Sequence, residues 1–201
     1  MTEISLFPLS AVLLPHGRMP LQIFERRYLD LVRDCMRNDT GFGVIWLLKG
    51  AEVAASQSGE PQLAGVGCYA RIVDWDQLPN GLLGVTIAGG ERFDLHSSDR
   101  ADSGLVMGHV DLKPKPEPEP VLEVWQSLVA VLRSLENHPH VQRMGLAVDY
   151  NDAWQVAYTL AQLLPLDESL KYELLTLDSI EAVVRELELV LNEISGEDSQ
   201  A

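Results

Sequence analysis

The order of apolar and polar residues divides the chain into two stretches with different periods. In the first, Ile4 and Leu6 alternate with Ser5 and Phe7 until Pro8, and Met19, Leu21 and Ile23 alternate with Pro20, Gln22 and Phe24. A period of two is the mark of a strand. Val12-Leu13-Leu14 and the turn Pro15-His16-Gly17 lie between these runs. From Glu25 the spacing changes. Tyr28, Val32, Cys35 and Met36 stand at i, i+4, i+7 and i+8, which predicts a helix with one buried face, and Asn38-Asp39-Thr40-Gly41 stops it. Residues 42–48 form an apolar run of strand length, and residues 51–62 are polar and predict a mobile loop. Residues 65–75, 82–88, 91–95 and 105–112 read as further strands. Leu78-Pro79-Asn80-Gly81 supplies the Asn-Gly pair of a hairpin turn, and Gly89-Gly90 reads as another turn. Seven or eight short strands with one helix predict a small barrel or folded sheet.

The second stretch begins after Lys113-Pro114-Lys115-Pro116-Glu117-Pro118-Glu119-Pro120. Alternate prolines remove ladder donors and hold the chain extended, so residues 113–120 read as a linker. Beyond it the period is helical. Val121, Trp125, Leu128, Leu132 and Leu135 share a face, and His138-Pro139-His140 is expected to end that helix. Residues 152–164, 167–175 and 178–194 predict three more helices, the last with Asp178 and Glu181 in a capping-box arrangement. Residues 196–201 are polar and expected to fray. The chain thus reads as α+β, mainly β over residues 1–112 and helical over 121–201, with no internal repeat.

Composition narrows the function classes. Apolar residues make up 46% of the 201 and charged residues 22%, an ordinary globular balance. No run spans a bilayer, and Met1-Thr2-Glu3-Ile4 does not open a secretion signal, so a cytoplasmic protein is expected. In a reducing cytosol Cys35 and Cys68 read as small core residues and not as a disulfide. Net charge is −15, with 14 acidic and nine basic side chains in residues 1–112 and 16 and six in residues 113–201. Such a surface repels phosphate backbones, and Arg26, Arg27, Arg33 and Arg37 are interleaved with Glu25, Asp30 and Asp34, so no nucleic-acid stripe forms.

The search for chemistry returns little. None of the four lysines follows a glycine in the Walker arrangement, which must wrap phosphates with backbone amides and an ammonium group. A Gly-x-Ser-x-Gly elbow is missing, and Lys49 and Lys171 read as solvated and not as partners in a serine–lysine dyad. Asp74 and Asp76 flank Trp75 on one strand face and are read as a solvated pair. His138 and His140 lack further metal-ligating neighbours. Gly65-Val66-Gly67 and Gly89-Gly90 read as bulges and tight corners. No catalytic residue, cofactor or metal is assigned.

Three blocks of sequence carry a resemblance. Residues 7–28 run Phe7-Pro8-Leu9, then Pro15-His16-Gly17, then Pro20-Leu21-Gln22-Ile23-Phe24-Glu25-Arg26-Arg27-Tyr28. Residues 65–72 form a Gly-x-Gly strand, and Gly89-Gly90-Glu91-Arg92-Phe93 follows the turn at 74–81. Their order and spacing over residues 3–112 resemble the amino-terminal, substrate-recognition domain of Lon proteases. His16, where the family often has only glycine after the proline, and the proline linker depart from the pattern. The resemblance implies a PUA-like β-barrel followed by a helical bundle, non-catalytic by itself, that engages unfolded or degron-bearing polypeptides and works beside a protease or chaperone. An extended peptide would lie against barrel strands or between barrel and helices, touching Phe24, Tyr28, Trp46 and Trp75. Core packing is the competing reading of each, because a strand aromatic usually points inward. Glu25, Arg27 and Arg92 read as structural, a helix-start carboxylate and ion-paired arginines. The alternative function is a small-molecule binder or enzyme using the barrel mouth. RNA binding by fold analogy is opposed by the charge.

Overall fold

The computed structural model describes residues 1–49 and 62–197, with side chains through residue 193. The loop expected at 51–62 therefore lies outside the described residues except for Gln62, as does the end of the chain from residue 198. The chain divides into two compact units, residues 1–115 and 116–201.

The first unit contains β1 (Thr2–Leu9), β2 (Arg18–Ile23), α1 (Arg26–Asn38), β3 (Phe42–Lys49), β4 (Gln62–Gln77), β5 (Leu83–Arg100) and β6 (Val106–Leu112). The strands lie in the order β2-β5-β4-β3-β1-β6, and β5 also pairs with β6. The pairings therefore form a circuit, β5-β4-β3-β1-β6-β5, with β2 attached to β5 outside it. Only β1 and β3 are parallel, with Leu6 opposite Gly43. The other pairs are antiparallel.

Among the described residues six strands replace the seven or eight expected, because β5 is one strand of 18 residues. Gly89-Gly90 does not turn the chain. Residues 83–88 pair with β2 and residues 93–100 with β6, so the glycines sit where β5 changes partner. Gly89 donates to the carbonyl of Gly17 at 2.9 Å and accepts from the amide of His16 at 3.0 Å. A Cβ at Gly89 would lie 2.2 Å from the carbonyl oxygen of Leu14. The glycine is there for close approach of a crossing segment. Opposite it, the β4–β5 register shifts between Cys68 and Ala70, so the bulge reading holds. The crossing segment is Val12 to Leu14, buried but not a strand. It turns through His16, a non-glycine residue at φ 62°, the conformation that glycine adopts freely. Pro8 does not end β1 either. β6 pairs only as far as Leu6, so the missing Pro8 donor costs no bond on that side.

α1 is one-sided, with Tyr28, Leu31, Val32 and Cys35 buried. Met36, expected on that face, is 46% exposed. Asp39 ends the helix in the left-handed conformation at φ 51° and returns its amide to the Cys35 carbonyl. The buried face packs with Phe7, Leu13, Ile23, Phe42, Val44, Val85 and Ile87 into the core of the unit. Cys35 and Cys68 are both buried and free, and burial pushes the Cys68 thiol up to about 12.

The second unit contains a single 3-10 turn (Glu123–Trp125), α2 (Gln126–Glu136), α3 (Pro139–Arg143), α4 (Ala153–Leu163), α5 (Glu168–Thr176) and α6 (Ile180–Glu197). α4 contacts both α2 and α6 and is buried on nearly every side, Trp154, Ala157, Tyr158 and Leu160 included. Asp152 caps α4 by accepting from the Trp154 amide at 3.1 Å. Pro139 starts the short α3 where a stop was expected. Its fixed φ suits the first helical position, and His138 caps it by accepting from the His140 amide at 3.3 Å. The cap of α6 is Ser179, one residue after the expected Asp178. Its hydroxyl accepts from the Ala182 amide at 3.3 Å and donates to Glu181 at 2.7 Å. α6 continues helical through Gly196. Among the described residues no helix is long and apolar enough to cross a membrane.

Two substitutions separate the roles of glycine. Gly89→Ala is expected to lower stability by about 3 kcal/mol, the upper range for overpacking, because the obstructing atom belongs to backbone. Gly81 has φ 81° and open space around it, so Gly81→Ala costs only left-handed strain, about 1 kcal/mol. Urea midpoints at unchanged slope measure both. The thiols of Cys35 and Cys68 should resist a disulfide reagent at neutral pH until the protein is unfolded, because the attacking species is the thiolate.

Candidate functional site

β2 ends at Ile23 and α1 begins at Arg26, so Phe24 and Glu25 sit on a sharp change of direction. Glu25 takes the N-cap backbone conformation, and its carbonyl accepts from the Tyr28 and Leu29 amides at 3.0 Å. Its carboxylate does not cap the helix. It accepts from Arg27 Nη2 at 3.2 Å, with Arg27 Nε also 3.2 Å away. Arg27 is buried and donates to the Gly104 carbonyl at 2.9 Å, and its guanidinium lies 4.5 Å from the centre of the Tyr28 ring. Tyr28 in turn stacks on Phe7 with centroids 3.9 Å apart and planes 13° apart. These contacts hold the corner rigidly and leave Phe24 54% exposed. Arg92 is buried within β5, opposite Cys68.

Phe24 and Tyr28, with Phe7 and Leu9, line a hollow of about 200 Å³ whose floor includes Pro20, Leu21 and Gln22. The same three β2 residues enter a second hollow of about 250 Å³, walled by Trp75, Leu78 and Val85. Trp75 and Asp74 continue into a third of about 370 Å³, with Met36, Val73 and Arg71. The second hollow thus shares residues with each of the others, while the first and third share none. The second hollow lies over three neighbouring strands, β2, β5 and β4, and β2 has β5 on one side and an outer edge on the other. That edge pairs with no other strand among the described residues.

Phe24, Met36, Val73 and Trp75 are 54%, 46%, 45% and 59% exposed. Met36, Val73 and Trp75 share the third hollow, and Phe24 lies on the first. The structure thus brings Phe24 and Tyr28 to one hollow and places Trp75 on the two others. Trp46 stands apart, half-buried on β3 opposite Leu9, and lines none of the three hollows. Met36 and Val73 are the members that the sequence pattern did not nominate; Met36 was expected in the core.

The charges on this face are mostly carboxylates. Arg71 donates to the Asp39 carbonyl at 2.9 Å and lies 3.6 Å from its carboxylate, while Glu25 is held by Arg27. Asp74 accepts from the Trp75 amide at 2.9 Å, and both Asp74 and Asp76 are exposed, as the sequence reading expected. Among the described residues no cation pairs with either. Cys35, on the third hollow, has its thiol pushed up by burial, with a hydrogen bond from Thr40 opposing and the Asp34 charge adding to the shift. It is a poor nucleophile in that state. No group of three or more metal-ligating side chains occurs among the described residues.

The fold and this face can be set beside known proteins. Residues 3–193 match the family described as the ATP-dependent protease La (Lon) substrate-binding domain. A crystal structure of a Lon N-terminal domain protein from Xanthomonas campestris is 35% identical. It superposes with a TM-score of 0.71 over 96% of this chain and 98% of that one. The N-terminal domain of Lon protease from the Mycobacterium avium complex, 14% identical, shares the fold with a TM-score of 0.58 over 92% and 95%. None of the curated proteins compared with the chain matches it. The architecture is that of a Lon amino-terminal domain. The chain belongs to the Lon substrate-binding domain family.

Truncation separates exposed aromatics from structural ones. Phe24→Ala and Trp75→Ala should each change folding stability by less than about 1 kcal/mol, since neither side chain is packed. Tyr28→Ala, which removes the stack on Phe7, should cost about 3–5 kcal/mol. Denaturant melts of the three variants test the assignment.

Proposed function

We propose that this chain is a non-catalytic protein-binding module that engages unfolded or degron-bearing polypeptides through the face formed by Phe24, Tyr28 and Trp75, with Met36 and Val73. The observation that carries this reading is that large exposed apolar side chains line surface hollows, Phe24 beside β2 and Trp75 with Met36 and Val73 beside β4. Family membership supports a role in recognising protein substrates. Extended chains suit such a surface, because an open edge offers main-chain hydrogen bonds while the hollows take side chains. We read the closed circuit of pairings in the first unit as a small PUA-like barrel, the second unit as its helical bundle, and residues 113–120 as the linker. In this reading the chain acts in the cytoplasm, in protein quality control or proteolysis targeting, and passes its clients to a separate protease or chaperone.

Shallow hollows walled by aromatics fit a polypeptide better than a small molecule, which needs most of its surface enclosed. Fluorescence anisotropy of a labelled unfolded protein such as casein, titrated with the full chain, should show saturable binding. Trp75→Ala and Phe24→Ala should weaken it about 30-fold each, the scale of an interface hot spot. Saturable binding left unchanged in both variants would remove the face from this role, and no binding to any unfolded protein would remove the role itself.

A further inference from the structure

The backbone of β2 has a fixed facing, and two bonds outside the strands reveal it. Gly89 donates to the Gly17 carbonyl at 2.9 Å, which makes Gly17 and Gly89 a bonded position just ahead of β2. In an antiparallel ladder bonded and non-bonded pairs alternate. Counting along the register, Met19–Ile87 and Leu21–Val85 are bonded, while Pro20–Thr86 and Gln22–Gly84 are not. The hairpin at the other end of the register agrees. Leu78 donates to the Leu82 carbonyl at 2.9 Å, so the same alternation assigns the backbone groups of Gly84 and Thr86 to β4 and leaves none of them for β2. Pro20 and Gln22 therefore turn their backbone to the outer edge of β2, where both residues are exposed. The donor that Pro20 lacks removes no bond inside the molecule. It is missing only from the edge, which offers the carbonyls of Pro20 and Gln22 and the amide of Gln22.

We propose that this edge takes up an extended segment of a foreign polypeptide as an added strand, and that Pro20 closes it to a second copy of this chain. The proposal rests on the reading that the chain binds polypeptides, and it names the mode. The edge adjoins the Phe24–Tyr28 hollow, which Pro20, Leu21 and Gln22 help to line. A foreign strand donates to the Pro20 carbonyl and exchanges both bonds with Gln22, while one of its own carbonyls, opposite the proline ring, turns to water. Its backbone is free to bulge there. Two copies meeting edge to edge obey a two-fold axis, so each defect occurs twice. With Pro20 opposite Pro20, neither carbonyl finds a donor and each meets the other's ring. With Pro20 opposite Gln22, both Gln22 carbonyls go unpaired. A proline on a free edge is one of the ways in which proteins prevent such self-pairing.

Pro20→Thr restores the outward donor and Gln22→Pro removes the neighbouring one, and neither change touches a bond to β5. Circular dichroism and urea melts should find both variants folded; an unfolded Q22P would mean that its amide belongs to the ladder with β5, and the proposal would fall. By sedimentation equilibrium, P20T should self-associate about 25-fold more tightly than the unaltered chain, from two regained hydrogen bonds at about fivefold each, and adding Q22P to it should reverse the gain. Anisotropy of labelled casein, titrated with chain kept below the dimer midpoint, should show binding about fivefold tighter for P20T and about fivefold weaker for Q22P. An association constant unchanged in P20T, or casein affinities equal in all three chains, would overturn the proposal. In the second case saturable binding still stands, carried by the hollows alone. No casein binding by any of the three removes the underlying reading and this proposal with it.

Discussion

β5 is hydrogen-bonded to three strands, and the architecture of the first unit follows from how that load is shared. One edge carries β4 over residues 83–94, while the other carries β2 first and β6 afterwards. The second of these pairings returns the sheet to itself; the first leaves β2 outside the circuit with an open edge. The changeover requires a point where the strand bends and another segment crosses it, and no side chain can occupy that point. Gly89 fills it, bonded to His16 and Gly17 of the crossing segment. That crossing also delivers the chain to Arg18 and so sets where β2 begins. The open edge, the corner at Phe24 and the hollows beside them all descend from the same partner exchange.

Much of this was legible in the residues, and the parts that were not share a cause. α1, the Asn-Gly hairpin between β4 and β5, and the alternation of Met19, Leu21 and Ile23 are local signals and appear where the pattern put them. The turn reading of Gly89-Gly90 and the stop at Pro139 failed because each residue type has two uses. A glycine pair can turn a chain or make room for a neighbouring backbone, and only a distant segment, here Leu14 to Gly17, decides between them. Proline can end one helix or open the next, and the cap from His138 decides that. The change from Asp178 to Ser179 at α6 is a choice between two good capping residues side by side.

The candidate site shows the same limit more sharply. Phe24, Tyr28, Trp46 and Trp75 were all read as aromatics that either pack or bind, yet one is sealed against Phe7, one is half-buried on β3 and two stand in solvent. Exposure is a property of what packs alongside. Val73 and Trp75 are adjacent but one residue, and the bulge between Ile72 and Asp74 breaks the simple alternation that would assign them a side. The carboxylates beside Trp75 were correctly read as solvated, but their place on the rim of an apolar hollow depends on β2 lying across β5, which no local pattern encodes.

The shared strand also has a kinetic meaning. Where β5 is held on both edges, at residues 83–88 and 93–94, opening it breaks two ladders at once, and its amide protons there should exchange slowly. β2, by contrast, is held on one edge over six residues and interrupted by Pro20. It can peel from β5 without breaking the circuit, so the hollows beside β2 are carried by the strand whose loosening disturbs the rest of the unit least.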